Sequence, residues 1–292
     1  MANRLRISLL FIFTFFIAFK GYSQETITWL KPIESDQKMI RNEIVSGSSL
    51  DLMSFVAKQL PAFKHQFEAY PIKRSWALIQ ERKIAGHTYC FWGADYKAER
   101  EQWGYFTKPT SVSLPYMIGA RKGELVQYVR DGAISVTALL RAGFATVIFD
   151  NVVNPWTKIV EQAPNDSLIE ISGIDKDLSE HTLQMIEIKR IDFGYISHRT
   201  IANLDLYNSG NIALYEIEEM IDSDSREAWI LCSKTPQGKK VVSNIDQALS
   251  HIFDEHSLSM QMKELVFKAE GYPQRYKTLF DKQWDNAFNP LQ

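Results

Sequence analysis

Between residues 27 and 92, short apolar runs alternate with segments of helical period, and no other feature restricts the chain's fold as much. Ile27-Thr28-Trp29-Leu30 reads as a strand. Over residues 50–60, Leu52, Met53, Val56 and Leu60 recur at helical spacing; Ser48 and Asp51 match an S-x-x-D capping box and Pro61 stops the helix. Residues 65–70 read as a second strand and 72–82 as a second helix. The run Thr88-Tyr89-Cys90-Phe91-Trp92 is uninterrupted by charge, as a strand covered on both faces requires. Strand–helix–strand–helix–strand predicts a parallel sheet.

The alternation returns later. Strands are predicted over 145–149, 168–171, 193–197 and 228–232. Helices are predicted from the Asn154-Pro155 start through Val160, over 178–189 and 198–207, and around Ile245, Ala248, Leu249, Ile252 and Phe253. A helical tail over 257–280 is interrupted near Gly271 and Pro273. The architecture repeats but the sequence does not. A chain of 292 residues exceeds what one core of ordinary size takes up, so two α/β lobes are expected.

Residues 1–23 read as a segment apart from those lobes. Arg4 and Arg6 precede an uncharged apolar run over 7–19, and Gly21 and Ser23 supply small residues for a cut before Gln24. The run is shorter than the roughly 20 residues a membrane span needs. A cleaved secretory signal is therefore expected, with the remaining protein in the periplasm. Without Arg4, Arg6 and Lys20 the chain keeps 30 basic and 35 acidic residues, a formal charge of −5 over 269 residues instead of −2 over 292. That balance offers no electrostatic pull toward nucleic acid. A hydrophobic content of 45 % excludes a disordered chain, and two cysteines cannot fill a disulfide scaffold or a Cys₄ zinc site.

At Tyr96-Lys97-Ala98-Glu99-Arg100-Glu101, followed by Gly104-Tyr105-Phe106-Thr107-Lys108-Pro109, the order of residues becomes specific. It resembles the T-x-E-R … F-S-x-P signature of bacterial periplasmic solute-binding proteins of family 3, the amino-acid-receptor-like group. Further landmarks agree in order: the opening strand with Trp29, the helix after Ser49-Leu50-Asp51, the Lys83–Gly86 turn, Arg190-Ile191-Asp192, and Ser233-Lys234 followed by Asn244, Ala248 and Leu249. The resemblance implies a type II periplasmic binding protein fold. In that fold two Rossmann-like lobes are joined by two crossover strands, with a ligand cleft between them. Projected here, lobe 1 is 24–116 plus 230–292 and lobe 2 is 117–229.

It also implies ligand residues. Arg100 takes the position of an arginine whose planar fork pairs a ligand carboxylate. Gly93 and Asp95 lie where relatives place hydroxyl residues and backbone donors. Ser197 stands where amino-acid receptors carry an ammonium-binding Asp, so specificity for α-amino acids is in doubt. Asp150 and Asn151 occupy a loop that gives backbone N–H groups to anions in relatives. Trp29 and Trp92 end strands whose C-termini line the crevice of an open α/β sheet, whereas Trp76 and Trp103 read as core. Arg74 opens the second helix and can face the cleft or solvent. Cys90 and Cys232 fall on neighbouring strands in the family's sheet order, so a disulfide is geometrically allowed. Two buried free thiols are the expectation, because strand pairs seldom match disulfide geometry.

The expected function is non-catalytic: closure over a small polar solute, carboxylate-bearing or aromatic, for transport or sensing, without cofactor or metal. The expected protein partner of this monomer is an inner-membrane ABC permease or a membrane sensor. The alternatives are a periplasmic enzyme of dehydratase type on the same scaffold and a sensor or scaffold with a degenerate cleft. No G-x-S-x-G, H-E-x-x-H or P-loop supports an enzyme.

Overall fold

The computed structural model describes residues 24–33, 37–81, 84–114, 116–149, 155–161, 167–171, 178–196, 210–220, 226–272 and 274–288. The expected leader and the helix predicted over 198–207 lie outside them. In chain order the first part contains β1 (Thr26–Lys31), β2 (Lys38–Ile40), β3 (Glu43–Ser46), α1 (Ser48–Ala57), β4 (Lys64–Ala69), α2 (Ile72–Glu81), β5 (His87–Ala94), β6 (Gly104–Phe106) and β7 (Ser111–Ser113). There follow β8 (Met117–Arg121), β9 (Ala133–Ile134), α3 (Val136–Arg141), β10 (Thr146–Phe149), α4 (Pro155–Val160), β11 (Leu168–Ile171), α5 (Leu178–Glu187), β12 (Phe193–Ile196) and β13 (Ile212–Ile217). The chain then returns through β14 (Arg226–Ser233) to α6 (Pro236–Asp254), α7 (His256–Ala269) and α8 (Lys277–Phe288).

The first sheet runs β2-β3-β4-β1-β5-β14-β6, with β7 also paired to β14. β1 is parallel to β4 and β5, as the alternation of elements predicts, and β14 is antiparallel to β5. Alternate residues divide between two layers. Trp29, Cys90, Trp92 and Ile230 join the core beneath α1, α6 and α7, while Leu30, Tyr89, Phe91 and Leu231 pack with Leu78 and Ile79 of α2. Each fully buried large side chain contributes on the order of 1.5–3 kcal/mol by leaving water.

Local signals account for most boundaries. α6 opens at Thr235, whose hydroxyl accepts the Gly238 N–H at 2.9 Å, with Pro236 in the first turn. The capping box expected for α1 is not formed. Gly47, at φ 137°, is the cap, and its carbonyl accepts the Leu50 and Asp51 N–H groups. Ser48 is therefore already helical, and the Asp51 carboxylate accepts from Lys268 of α7 at 3.1 Å.

The second sheet has the order β12-β8-β13-β9. β8 is antiparallel to both neighbours, and β10 with β11 forms a separate parallel pair. The sequence patterns locate β10, β11 and β12 but not β8, β9 and β13, which are short, half-exposed or interrupted by Gly119. Arg190-Ile191-Asp192 acts here as a fastener. The Asp192 carboxylate accepts the Ala145 N–H at 2.7 Å, ahead of β10, and pairs with Arg121 of β8 at 3.2 Å. Arg121 also donates to the carbonyls of Ile186 and Ile191.

Glu219 fastens the start of α3 in a similar way. Its carboxylate accepts from the Ser135 hydroxyl and the Val136 and Thr137 N–H groups at 2.8–3.1 Å. Burial by itself pushes this carboxyl up, yet these hydrogen bonds hold it below the ordinary glutamate value. A carboxylate depressed in the folded state stabilises the fold fully above its unfolded pKa, and loses that effect as pH falls through the folded value. Glu219→Gln should therefore cost about 1 kcal/mol at neutral pH. The difference from the parent should vanish in acid, as read from urea unfolding at a series of pH values.

The chain leaves the first sheet through β7 and returns through β14, which pairs β7 over Arg226–Ala228 and β5 from Trp229, with a register shift between Trp229 and Ile230. The Leu114 N–H, just past β7, donates to the Tyr272 hydroxyl at 2.9 Å, and Tyr276 packs against both cores. Cys90 and Cys232 are disulfide-bonded, which overturns the expectation of two free thiols. They are direct register partners on β5 and β14 and both are fully buried. A directly opposed antiparallel pair brings side chains closer than strand neighbours in general, and the expectation had not allowed for that pairing.

Candidate functional site

The C-terminal ends of β1 and β5 open into a cavity of ≈ 240 Å³. Lys31 ends β1 on one side, and Trp92, Gly93 and Asp95 close it on the other. Ser111 and Ser113 of β7, Tyr116, and Glu227 of β14 form the wall where the chain crosses between sheets. Glu270, just past α7, completes the rim. Gly93 has φ 83°, a conformation that a side chain would strain, and a Cβ there would stand 3.5 Å from the Lys31 ammonium. Three carboxylates and one ammonium make the wall formally −2.

Of the residues proposed from the sequence, Trp92, Gly93 and Asp95 line this cavity together. Arg100 does not line it but is fastened to its edge. A 3-10 turn over Ala98–Gln102 carries it back so that its guanidinium donates to the Asp95 carbonyl at 2.8 Å and lies 4.6 Å over the Trp76 ring. Burial pulls the guanidinium's pKa down, and Asp95 and Glu99 push it back up. A guanidinium has five N–H donors, so one bond to a carbonyl leaves donors for a ligand.

Lys97 adds to the positive charge beside Arg100. Burial and the neighbouring Arg100 lower its pKa, Asp95 and Glu99 push it back up, and Lys158 of α4 adds a smaller lowering. Tyr96 extends the surface with an aromatic group, its ring 5.0 Å from Phe106 and 5.9 Å from Trp229.

Two further candidates lie outside the cavity wall. Trp29 is not in the cavity wall: it is 0 % exposed, and its indole N–H donates to His65 Nδ1 at 3.0 Å. It pairs with Cys90, two residues before Trp92, and so sits one side-chain repeat further from the sheet edge. Arg74 is exposed on α2, outside the wall. Asp150, Asn151 and Ser197 lie outside the described residues. Trp76 and Trp103 pack edge to face with centroids 5.8 Å apart, Trp76 also against Phe91. Sequence reasoning missed Lys31, Ser111, Ser113, Tyr116, Glu227 and Glu270. Only Lys31 carried a usable signal, as the residue that ends the first strand.

No protein-family profile and no curated protein matches the chain. Solved structures do. A Streptococcus mutans protein, described with glutathione import via GshT and the cystine ABC importer TcyBC, superposes with a TM-score of 0.61 at 12 % identity, over 87 % of this chain and 99 % of its own. The probable amino-acid ABC transporter extracellular-binding protein YtmK of Bacillus subtilis gives 0.58 at 14 % identity, over 85 % and 98 %. A Salmonella typhimurium periplasmic binding protein with high arginine specificity gives 0.55 at 16 % identity, over 82 % and 98 %. These neighbours are substrate-binding proteins of ABC importers, and at such identities the likeness is one of fold. The chain has the mixed α/β architecture of the type II periplasmic binding proteins.

Proposed function

We propose that the chain is an extracytoplasmic solute receptor that closes over a small polar ligand and delivers it to an inner-membrane ABC permease or a membrane sensor. One observation carries this reading. The C-terminal edge of a parallel sheet opens into a cavity beside the two crossing strands, where open α/β folds bind ligands, and Arg100 is fastened at its rim. Arg100, with Lys97 beside it, would hold a ligand carboxylate, and the half-exposed aromatic group around Tyr96 suits a ligand with a flat face. In this reading lobe 1 is 24–116 plus 230–292, lobe 2 is 117–229, and hinge motion at the crossing strands brings them together. The leader over 1–23 would export the chain to the periplasm, where it acts as a monomer. None of the described helices is long and apolar enough to cross a membrane.

The reading makes binding, and no turnover, the protein's activity. A thermal-shift screen of the mature chain against small polar metabolites tests it. At least one solute should raise the melting temperature in a dose-dependent way and be recovered chemically unchanged. A solute recovered as product would instead establish an enzyme.

A further inference from the structure

Behind the cavity wall stands a pair of side chains that do not line it. Ile27 of β1 is opposite His65 of β4 in parallel register, so Trp29 lies one side-chain repeat further along the same face. From there the buried indole N–H reaches His65 Nδ1 at 3.0 Å, while His65 Nε2 meets the Leu60 carbonyl, just past α1, at 3.1 Å. An indole N–H can only donate, so Nδ1 is the unprotonated nitrogen and Nε2–H donates to Leu60. Both ring nitrogens are thereby committed to the neutral imidazole. The two rings are 23° from parallel with centroids 6.0 Å apart, and the indole meets the imidazole through its N–H edge. Trp29 also packs against Trp92, with ring centroids 5.9 Å apart, and Trp92 lines the cavity.

His65 is only half-buried, so protons reach it from solvent. A proton added to Nδ1 sets a second donor against the indole N–H, and the bond between them is lost. The charged groups on the surrounding elements are Lys64 and Glu68 on β4, Glu25 and Lys31 at the two ends of β1, Glu43 on β3, and Asp51 and Lys58 on or beside α1. None of these charges is a cause of the shift in the imidazole: burial pulls its pKa below the ordinary value, and the Leu60 carbonyl pushes back. A histidine depressed in the folded state stabilises the fold fully above its unfolded value of about 6.5, and loses that effect as pH falls through the folded value.

We propose that His65 is a pH sensor for the cavity: protonation releases the Trp29 indole, and Trp29 passes the change to Trp92 in the wall. The inference goes beyond the receptor reading, because it concerns the wall itself and holds whichever solute enters. It makes His65 a positioning residue that acts on the cavity through two indoles.

The test follows the mature protein by NMR from about pH 8 to about pH 4.5, reading the histidine imidazoles and the tryptophan indole N–H groups. The variants His65→Gln, Trp29→Phe and Trp92→Phe assign the signals. His65 should be the Nε2–H tautomer at high pH and titrate below about pH 6.5. The Trp29 and Trp92 indole signals should shift with the same midpoint. In His65→Gln the side-chain amide can accept from Trp29 and donate to Leu60 without titrating, so both indole signals should lose that step. Trp29→Phe should raise the His65 midpoint, because the neutral imidazole loses its donor, and should leave Trp92 flat through it. Should that core variant fail to fold, the comparison of wild type with His65→Gln decides alone. Three results overturn the inference: a Trp92 signal that is flat through the His65 titration in wild type, a step kept at the same midpoint in His65→Gln, or an imidazole still neutral when the protein unfolds.

Discussion

Replacing Cys90 and Cys232 together by alanine should lower the melting temperature of the oxidised protein by roughly 10–20 °C, the largest stability effect expected of any pair in the chain. The bond joins residues 142 apart in sequence, and the closed loop contains the whole second sheet. Loop-closure entropy for that length gives about 5 kcal/mol, near the top of what disulfides contribute. The consequence is topological as much as energetic. The first sheet is assembled from two distant stretches of chain, and the bond ties β5 to β14, where those stretches meet. Both sulfurs are fully buried, so reductant should not reach them in the folded protein. Thiol labelling with and without denaturant checks this, and calorimetry of the Ala/Ala variant checks the magnitude. A loss below about 1 kcal/mol would show that the pairing of β5 with β14 does not depend on the cross-link.

Arg100→Ala should reduce affinity for the cognate solute on the order of a hundredfold. A bidentate arginine–carboxylate pair consists of two charge-assisted hydrogen bonds, and lysine cannot reproduce the fork. Arg100→Lys should accordingly retain the charge and recover only part of the loss. The guanidinium also lies over Trp76, so the alanine variant should be less stable without ligand by about 0.5–1 kcal/mol. Calorimetric titration separates the two effects, because stability and affinity are read independently. A solute that bound wild type and Arg100→Ala equally would remove the carboxylate anchor from the account.

The parts of the fold legible in the sequence were those with a strong local period. β1 and β5 have apolar runs bounded by turns and are located within a few residues, and the apolar stripe from Ile245 to Phe253 locates the second half of α6 but not its start at Pro236. β8 is short and carries Gly119, and it is held by pairing with β13 across 91 residues, from Arg121 to Ile212; β13 does carry strand-forming Ile212, Tyr215 and Ile217, but the sequence patterns above do not pick it out. The site divides along the same line. Trp92, Gly93 and Asp95 are consecutive with a recognisable motif and end a predicted strand, so they could be named in advance. Glu227 and Glu270 reach the cavity through β14 and the end of α7, and their neighbours in sequence give no hint of it. Trp29 shows the reverse: it lies near a strand end but not at the sheet edge, and only the register with Cys90 distinguishes the two. The cysteines required the same information. Neighbouring strands were foreseen, but only an exact register brings two side chains face to face.

The central claim is that two lobes close on a solute held at the crossing strands. Small-angle X-ray scattering of the mature protein, with and without a solute found by thermal shift, tests it most directly. The account predicts that a saturating solute makes the protein measurably more compact, and that Arg100→Ala requires much more solute for the same change. A solute that binds tightly and leaves the scattering profile unchanged would contradict it.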